Sequence, residues 1–457
     1  MKKKILWLVT ILLLIGILVT GCQPAGKNAA DGADTGGEGE VVTITIWDFG
    51  GSDFAWLDDI AIPEFEEKYP NIKINHVGVL EDELGLKIET SIAAGEVADI
   101  AIFVPTRVKA AGHVLALDDY MARDGISRDD YCNLFQAADV SNYGPFNDKV
   151  TSLPVDTNIW AMVYNKDLFA EAGLPELGVE DYITFEDWLE YARAINVPSD
   201  NIEERVWGSN MFSPVFNSGN NYMSSPFILG DDGRSCDGNA NNADWINAWS
   251  IMMTAYEEDL TDESAGILLD EMEEDIFIQG QVGMTYATLG DAIFSRDQGL
   301  NVGLTGQPVV TEGWSGNVGG WNNSYSIMAG SEHPDEAWLF LKFISTEAPL
   351  NVPLGADMII SADASMSGLP CYLPLHEQGR LAEMIAEDPL VADSVVLMSH
   401  IVPPPFTPDT WTSLDEFWNI FDMVEEGMSV EEAVNEATVA CQDATDELWD
   451  VFDSLGQ

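Results

Sequence analysis

The chain has 457 residues, of which 46% are hydrophobic, and its 78 acidic against 19 basic side chains give a formal charge of −59. That balance excludes nucleic acid as a partner, because phosphate contacts need clustered Lys and Arg; it disfavours anionic ligands and tolerates neutral or cationic ones. The 14 Trp, 19 Phe and 12 Tyr are ample for sizeable cores.

At the start, Lys2, Lys3 and Lys4 precede an apolar run from Ile5 to Val19 that closes on Val19-Thr20-Gly21-Cys22. A basic end, a short apolar stretch and small residues before a cysteine make an export signal, too short to favour a permanent spanning helix. The cysteine resembles that of a bacterial lipobox. Residues 1–21 therefore read as a signal peptide, and Cys22 as the acylated first residue of a chain anchored to the outer face of the cell membrane. Residues 22–40 hold no large apolar side chain and read as a flexible tether. From Val41 onward the chain is too long for one small core, which predicts two lobes.

The strand and helix periods alternate. Val41 to Trp47 reads as a strand, Leu57 to Tyr69 as a helix, Ile72 to Val77 as a strand, Leu84 to Ala94 as a helix stopped by Gly95, and Asp99 to Val104 as a strand. This order predicts an α/β fold with a mainly parallel sheet and helices on both faces. Ligands of such sheets bind beyond the carboxyl ends of the strands, here the loops Asp48 to Phe54 and Pro105 to Arg107. Further along, Leu153 to Lys166 reads as a strand entered through Pro154. Helices are predicted over Phe185 to Ile195, with a capping signal at Thr184 and Asp187, over Glu336 to Ile344, and over Val430 to Trp449. Asp99 reads as a structural partner, and Trp188, Trp338 and Trp449 read as helix residues of core or surface.

Besides Cys22 there are four cysteines, Cys132, Cys236, Cys371 and Cys441. In an oxidising compartment they allow two disulfides in any of three connectivities, and their spacing fits no zinc motif. Asp237 to Asn241 has alternating oxygen ligands, but Asn242 and Ala248 stand where a calcium loop needs glycine and glutamate, so it reads as a polar loop and no metal is expected.

Five blocks in order carry a family resemblance: Trp47-Asp48 with Ile62 to Ile72; Ala94 to Ile100; Leu153-Pro154 with Tyr164 to Phe169 and Ala172 to Leu174; Phe277 to Met284; and Gly320-Trp321 with His333 to Trp338. The chain resembles the extracellular solute-binding proteins of family 1, which serve ABC importers, and within them the maltose-like carbohydrate binders. The resemblance implies a periplasmic-binding-protein-like fold of two α/β lobes, 41–156 with 284–322 and 157–283 with 323–457. The hinge between them would be crossed near Asp156, Met284 and Asn322. It also implies capture of a sugar by closure of the lobes, delivery to permease subunits, a monomer, and no catalysis or cofactor.

A sugar offers C–H groups to aromatic faces and hydroxyls to planar polar groups, so the two residue types should occur together. Such groupings are Trp47, Asp48, Gly51 and Ser52; Phe103, Thr106 and Arg107; Asp156, Asn158 and Trp160; Trp321 and Asn322; and Trp411. The segment Thr285 to Gly290 lacks the tryptophan often found there in carbohydrate binders, which leaves Tyr286 to take the stacking role. Two other readings are a binder of a polyamine or another cation, favoured by the acidic field, and a glycoside hydrolase. The chain has no Gly-x-Ser-x-Gly, His-Glu-x-x-His or phosphate loop to support an enzyme.

Overall fold

Eleven strands order the described part of the chain: β1 (Val42–Asp48), β2 (Ile72–Gly78), β3 (Ile100–Ile102), β4 (Val140–Ser141), β5 (Lys149–Val150), β6 (Leu153–Asn165), β7 (Trp207–Ser209), β8 (Val282–Thr288), β9 (Val302–Thr305), β10 (Gly319–Ile327) and β11 (Leu369–Pro370). The structure is a computed structural model that describes residues 41–50, 54–135, 139–181, 183–210, 228–261, 276–311, 313, 318–354, 366, 368–402, 406–408 and 413–455. The signal, Cys22 and the tether lie outside the described residues, as do Gly51, Ser52 and Trp411. No helix among the described residues is long and apolar enough to cross a membrane.

The helices are α1 (Ile62–Lys68), α2 (Glu81–Ala94), α3 (Thr106–Ala110), α4 (Asp118–Asp124), α5 (Lys166–Glu171), α6 (Phe185–Ile195), α7 (Ala243–Glu257), α8 (Leu289–Asp297), α9 (Pro334–Thr346), α10 (Gly379–Glu387), α11 (Pro389–Met398), α12 (Ile420–Glu425) and α13 (Val430–Leu455). Where the sequence predicts one helix from Leu57, the structure has a π-helical turn over Leu57–Ala61 leading into α1. Pro63 accounts for this: it lacks an N–H and cannot close the usual bond four residues back, so the turn before it widens. The capping signal of α6 is real. Asp187 N–H donates to Thr184 Oγ1 at 3.1 Å, and Thr184 N–H donates to Asp187 Oδ2 at 3.0 Å.

The predicted β-α-β-α-β opening is observed, since β1 pairs in parallel with β2, from Val42↔Ile72 to Asp48↔Gly78, and with β3 at Ile46↔Ile100. β10 then pairs antiparallel with both β3 and β6, so the sheet runs β2-β1-β3-β10-β6-β8-β7 with β9 and β11 added to β6, and it is mixed where the sequence predicts a mainly parallel one, because every pairing of the long strand β6 is antiparallel. Asp99 does serve the fold, accepting from Thr45 N–H at 2.8 Å and from the Ser331 hydroxyl.

β6 is the axis of this arrangement. One of its edges pairs with β10 over Leu153 to Trp160 and then with β9 over Met162 to Asn165. The opposite edge pairs with β11 at Asp156 and Thr157 and then with β8 over Trp160 to Tyr164. Both exchanges of partner fall between Thr157 and Met162. The two faces of β6 differ as well. Val155, Ile159, Ala161 and Val163 enter one large core, which packs Ile44, Ile46, Ile100 and Ile327 of the sheet with Phe65 of α1 and Trp338, Phe340 and Leu341 of α9. On the alternate face, Met162 and Tyr164 enter a second core with Met284, Phe185, Trp188 and Met252. A third core joins Trp245 and Trp249 of α7 to Phe417, Ile420, Ala433, Val434 and Ala437. Trp188 and Trp338 are thus core residues, while Trp449 sits in a smaller cluster with Phe452 and Ala110.

The four cysteines form two disulfides, Cys132–Cys371 in the first core and Cys236–Cys441 in the third.

Candidate functional site

The alternate face of β6 also carries, just before Met162 and Tyr164, the series Asp156, Asn158 and Trp160. In a strand of period two these three point to the same side. Across the β10 edge Trp321 stands directly opposite Asn158, and on the other edge Tyr286 of β8 stands opposite Met162, so both share that side. The result is a row of three rings on three adjacent strands. Trp160 and Tyr286 have centroids 4.7 Å apart at 35°, and Trp160 and Trp321 are 5.3 Å apart at 34°. Trp160 is buried, and its neighbours Tyr286 and Trp321 are partly exposed.

Backbone chemistry explains how the row forms. A Cβ on Gly320 would lie 2.5 Å from the Asn158 carbonyl oxygen, so only glycine lets β10 approach β6 this closely beside Trp321. Gln307, buried between β9 and β10, donates its side-chain amide to the Trp160 carbonyl at 2.9 Å. Burial pushes the Tyr286 phenol well above its usual range, against the opposing effect of a hydrogen bond with Gln307. Tyr286 is therefore a neutral hydroxyl at any physiological pH. Asp156 and Asn158, both buried, supply a carboxylate and an amide next to the rings.

The other described residues of the predicted site stand outside the row. Asp48 is fully buried, accepting from Gly50 N–H at 2.8 Å and meeting His76 Nε2 at 2.7 Å, while Tyr325 donates to it at 3.4 Å. Trp47 lies half-buried under Lys87, whose Nζ is 4.5 Å from the ring centroid. Arg107 is paired with Glu89, and Thr106 opens the short helix α3. Phe103 is 38% exposed and stacks on Phe49. Asn322 is buried and turned away from the row, its amide donating to Asp139 at 3.1 Å.

Four residues with which the site is built escape sequence reasoning. Gln307 lies in an unremarkable Thr-Gly-Gln-Pro loop. Asp139 accepts from Ser152 Oγ at 2.7 Å, and Ser152 Oγ in turn accepts from Lys109 at 3.1 Å. Burial raises the Asp139 carboxyl and lowers the Lys109 ammonium, each opposed by the charge of the other. Nothing in the chain marks these partners, which are distant in sequence. The polar loop Asp237 to Asn241 bonds to itself and to α13: Asn241 accepts from Gly238 N–H at 2.7 Å and donates to Asn435 at 2.9 Å.

The family model described as bacterial extracellular solute-binding protein matches residues 50–349. The chain belongs to this family. Among solved structures, it is similar to the sugar-binding protein MalE of Xanthomonas citri, with 16% identity, a TM-score of 0.71 and coverage of 90% of this chain and 99% of that one. It is also similar to the ABC substrate-binding protein Lmo0181 of Listeria monocytogenes, solved with cycloalternan, at 19% identity and TM-score 0.66, covering 89% and 100%. UgpB of Mycobacterium tuberculosis, solved with glycerophosphocholine, gives 15% identity and TM-score 0.67 over 90% and 99%. These likenesses establish the periplasmic-binding-protein fold that the sequence predicts. The family is a class of solute-binding proteins.

Proposed function

We propose that this protein is a lipid-anchored solute-binding protein that captures a neutral sugar or oligosaccharide and hands it to an ABC importer. The observation that carries the reading is the row Tyr286, Trp160 and Trp321 with Asp156 and Asn158 on the same face. Ring faces take the C–H surface of a pyranose, and the carboxylate and amides take its hydroxyls. The sugar-binding neighbours MalE and the cycloalternan complex support it.

The mechanism is closure of two lobes about crossings near Asp156, Met284 and Asn322. A solute that touches both lobes shifts the open-closed equilibrium by its better affinity for the closed form, and the permease would recognise that form. The exchange of strand partners along β6 supports a bend at this place, because its two halves belong to different hydrogen-bonding neighbours. Export through the signal at residues 1–21, attachment at Cys22, a monomeric state and the absence of catalysis complete the proposal.

A second reading, capture of a polyamine or quaternary ammonium, has Asp156 and the same rings in its favour, since cations bind over aromatic faces. A thermal-shift panel of neutral saccharides, polyamines and glycerophosphocholine separates the readings, because a ligand of the folded state raises the melting temperature. A rise with saccharides supports the proposal. A rise confined to cations supports the second reading and overturns the first.

A further inference from the structure

β11 is a strand of two residues, and its own pairing does little to hold it. Pro370, opposite Asp156, has no N–H to give, and the Cys371 N–H that follows reaches the Val155 carbonyl only at 3.4 Å. Yet β11 lies hard against β6. A Cβ on Gly368 would stand 2.5 Å from the Thr157 carbonyl oxygen and 2.9 Å from the Asn158 nitrogen, as one on Gly320 would stand 2.5 Å from the Asn158 carbonyl oxygen on the other edge. The stretch of β6 that carries Asp156 and Asn158 is thus gripped between two closely approaching backbones.

Side chains outside the pairing keep β11 in place. Cys371 is bonded to Cys132, whose N–H donates to the Cys371 carbonyl at 2.8 Å, and His376 Nε2 donates to the Pro370 carbonyl at 2.8 Å. By the register, Cys371 shares the side of Val155 and Asn322 shares the side of Thr157, which is the core face of β6. Cys132 Sγ lies 3.8 Å from Asn322 Oδ1, so the bridge passes from β11 toward β10 behind β6. Asp156 and Asn158 stand on the opposite face, that of the ring row.

We infer that Cys132–Cys371 is a positioning bridge of the solute site: it fixes β11 on β6 and so presents Asp156 and Asn158 to the solute in one arrangement. The inference rests on placing the solute at those two residues and adds what holds them there. Cys236–Cys441 is the natural contrast. It lies in the third core, which contains no residue of β6, and its sequence separation of 205 is close to the 239 of the first bridge. The chain-entropy effect grows only with the logarithm of loop length, so the two bridges constrain the unfolded chain alike and differ in what they touch.

The test compares Cys132→Ala/Cys371→Ala with Cys236→Ala/Cys441→Ala. Each is titrated calorimetrically with maltose, maltotriose, mannotriose, spermidine and glycerophosphocholine, and amide hydrogen exchange is followed over residues 153–160. A site that is competent for about a tenth of the time binds about tenfold more weakly. The expected result for the first variant is a loss of that size or more, with faster exchange over 153–160. The second variant should melt lower as the first does, yet keep affinity within about threefold of wild type, a change of under 1 kcal/mol. Gly368→Ala keeps both bridges and drives β11 off β6, so it should weaken binding in the same way, and it decides the matter if the first variant does not fold. Wild-type affinity in that decisive variant, or an equal loss in both bridge variants, overturns the inference and leaves saccharide capture standing. If none of the probes binds the wild type, the saccharide reading falls, and unchanged exchange over 153–160 then overturns the inference as well.

Discussion

Asn322 and Asp139 meet at 3.1 Å inside the fold, amide to carboxylate, one residue along β10 from Trp321. The contact falls beside an irregularity of β10, where the register with β6 shifts between Asn322 and Ser324. With Ser152 and Lys109 it ties α3 and the approach to β6 to the strand that carries Trp321. Asn322→Ala leaves a buried carboxylate short of a donor, and the expected loss of stability is about 1–3 kcal/mol. Denaturant unfolding measures it. An unchanged midpoint would mean that the contact does not organise the strand that carries Trp321.

His76 predicts a pH dependence. Burial works against its charged form, but the hydrogen bonds and charges of Asp48 and Asp58 outweigh that, and the net shift is upward. Its Nε2 lies 2.7 Å from Asp48 and its Nδ1 3.0 Å from Asp58, so both nitrogens face carboxylates. A raised folded-state pKa contributes stability that is fully present below the unfolded value of about 6.5 and is lost as pH rises through the folded value. Melting temperature should therefore fall over that window in the wild type, and His76→Gln should flatten this part of the profile. Because Asp48 also fixes the Gly50 turn, the variant should loosen that loop as well.

The disulfide pairing is directly testable. Peptide mapping without reduction should recover Cys132 with Cys371 and Cys236 with Cys441. The bridges close loops spanning sequence separations of 239 and 205 residues, and removing either one typically costs about 2–4 kcal/mol. Any other pairing contradicts the packing of the first and third cores.

Much of the fold was legible because it is written in local periodicity. The alternation of Val42 to Asp48, the helical face of Phe185 to Ile195 and the Pro154 entry into β6 need no partner to be recognised. The rings of Trp160, Tyr286 and Trp321 were legible one at a time as candidates; their union was not, because it depends on the antiparallel registers of β8 and β10 against β6. Asp48 and Asn322 look alike from the sequence, polar residues beside a tryptophan. In the structure both are consumed by buried partners, His76 and Asp139, that lie 28 and 183 residues away. The His76 position did leave a trace, a titratable residue sharing a strand face with Ile72 and Ile74.

The most direct test of the central claim is a calorimetric titration of the saccharide that stabilises the wild type most, repeated with Trp321→Ala and Trp160→Ala. A lost stacking contact of about 1.4 kcal/mol is a tenfold change in affinity, and the account predicts at least that for Trp321→Ala with the melting temperature of the unliganded protein nearly unchanged. Trp160→Ala should weaken binding further and lower stability as well, since that ring is buried. Unaltered saccharide affinity in Trp321→Ala would contradict the account and place the solute elsewhere.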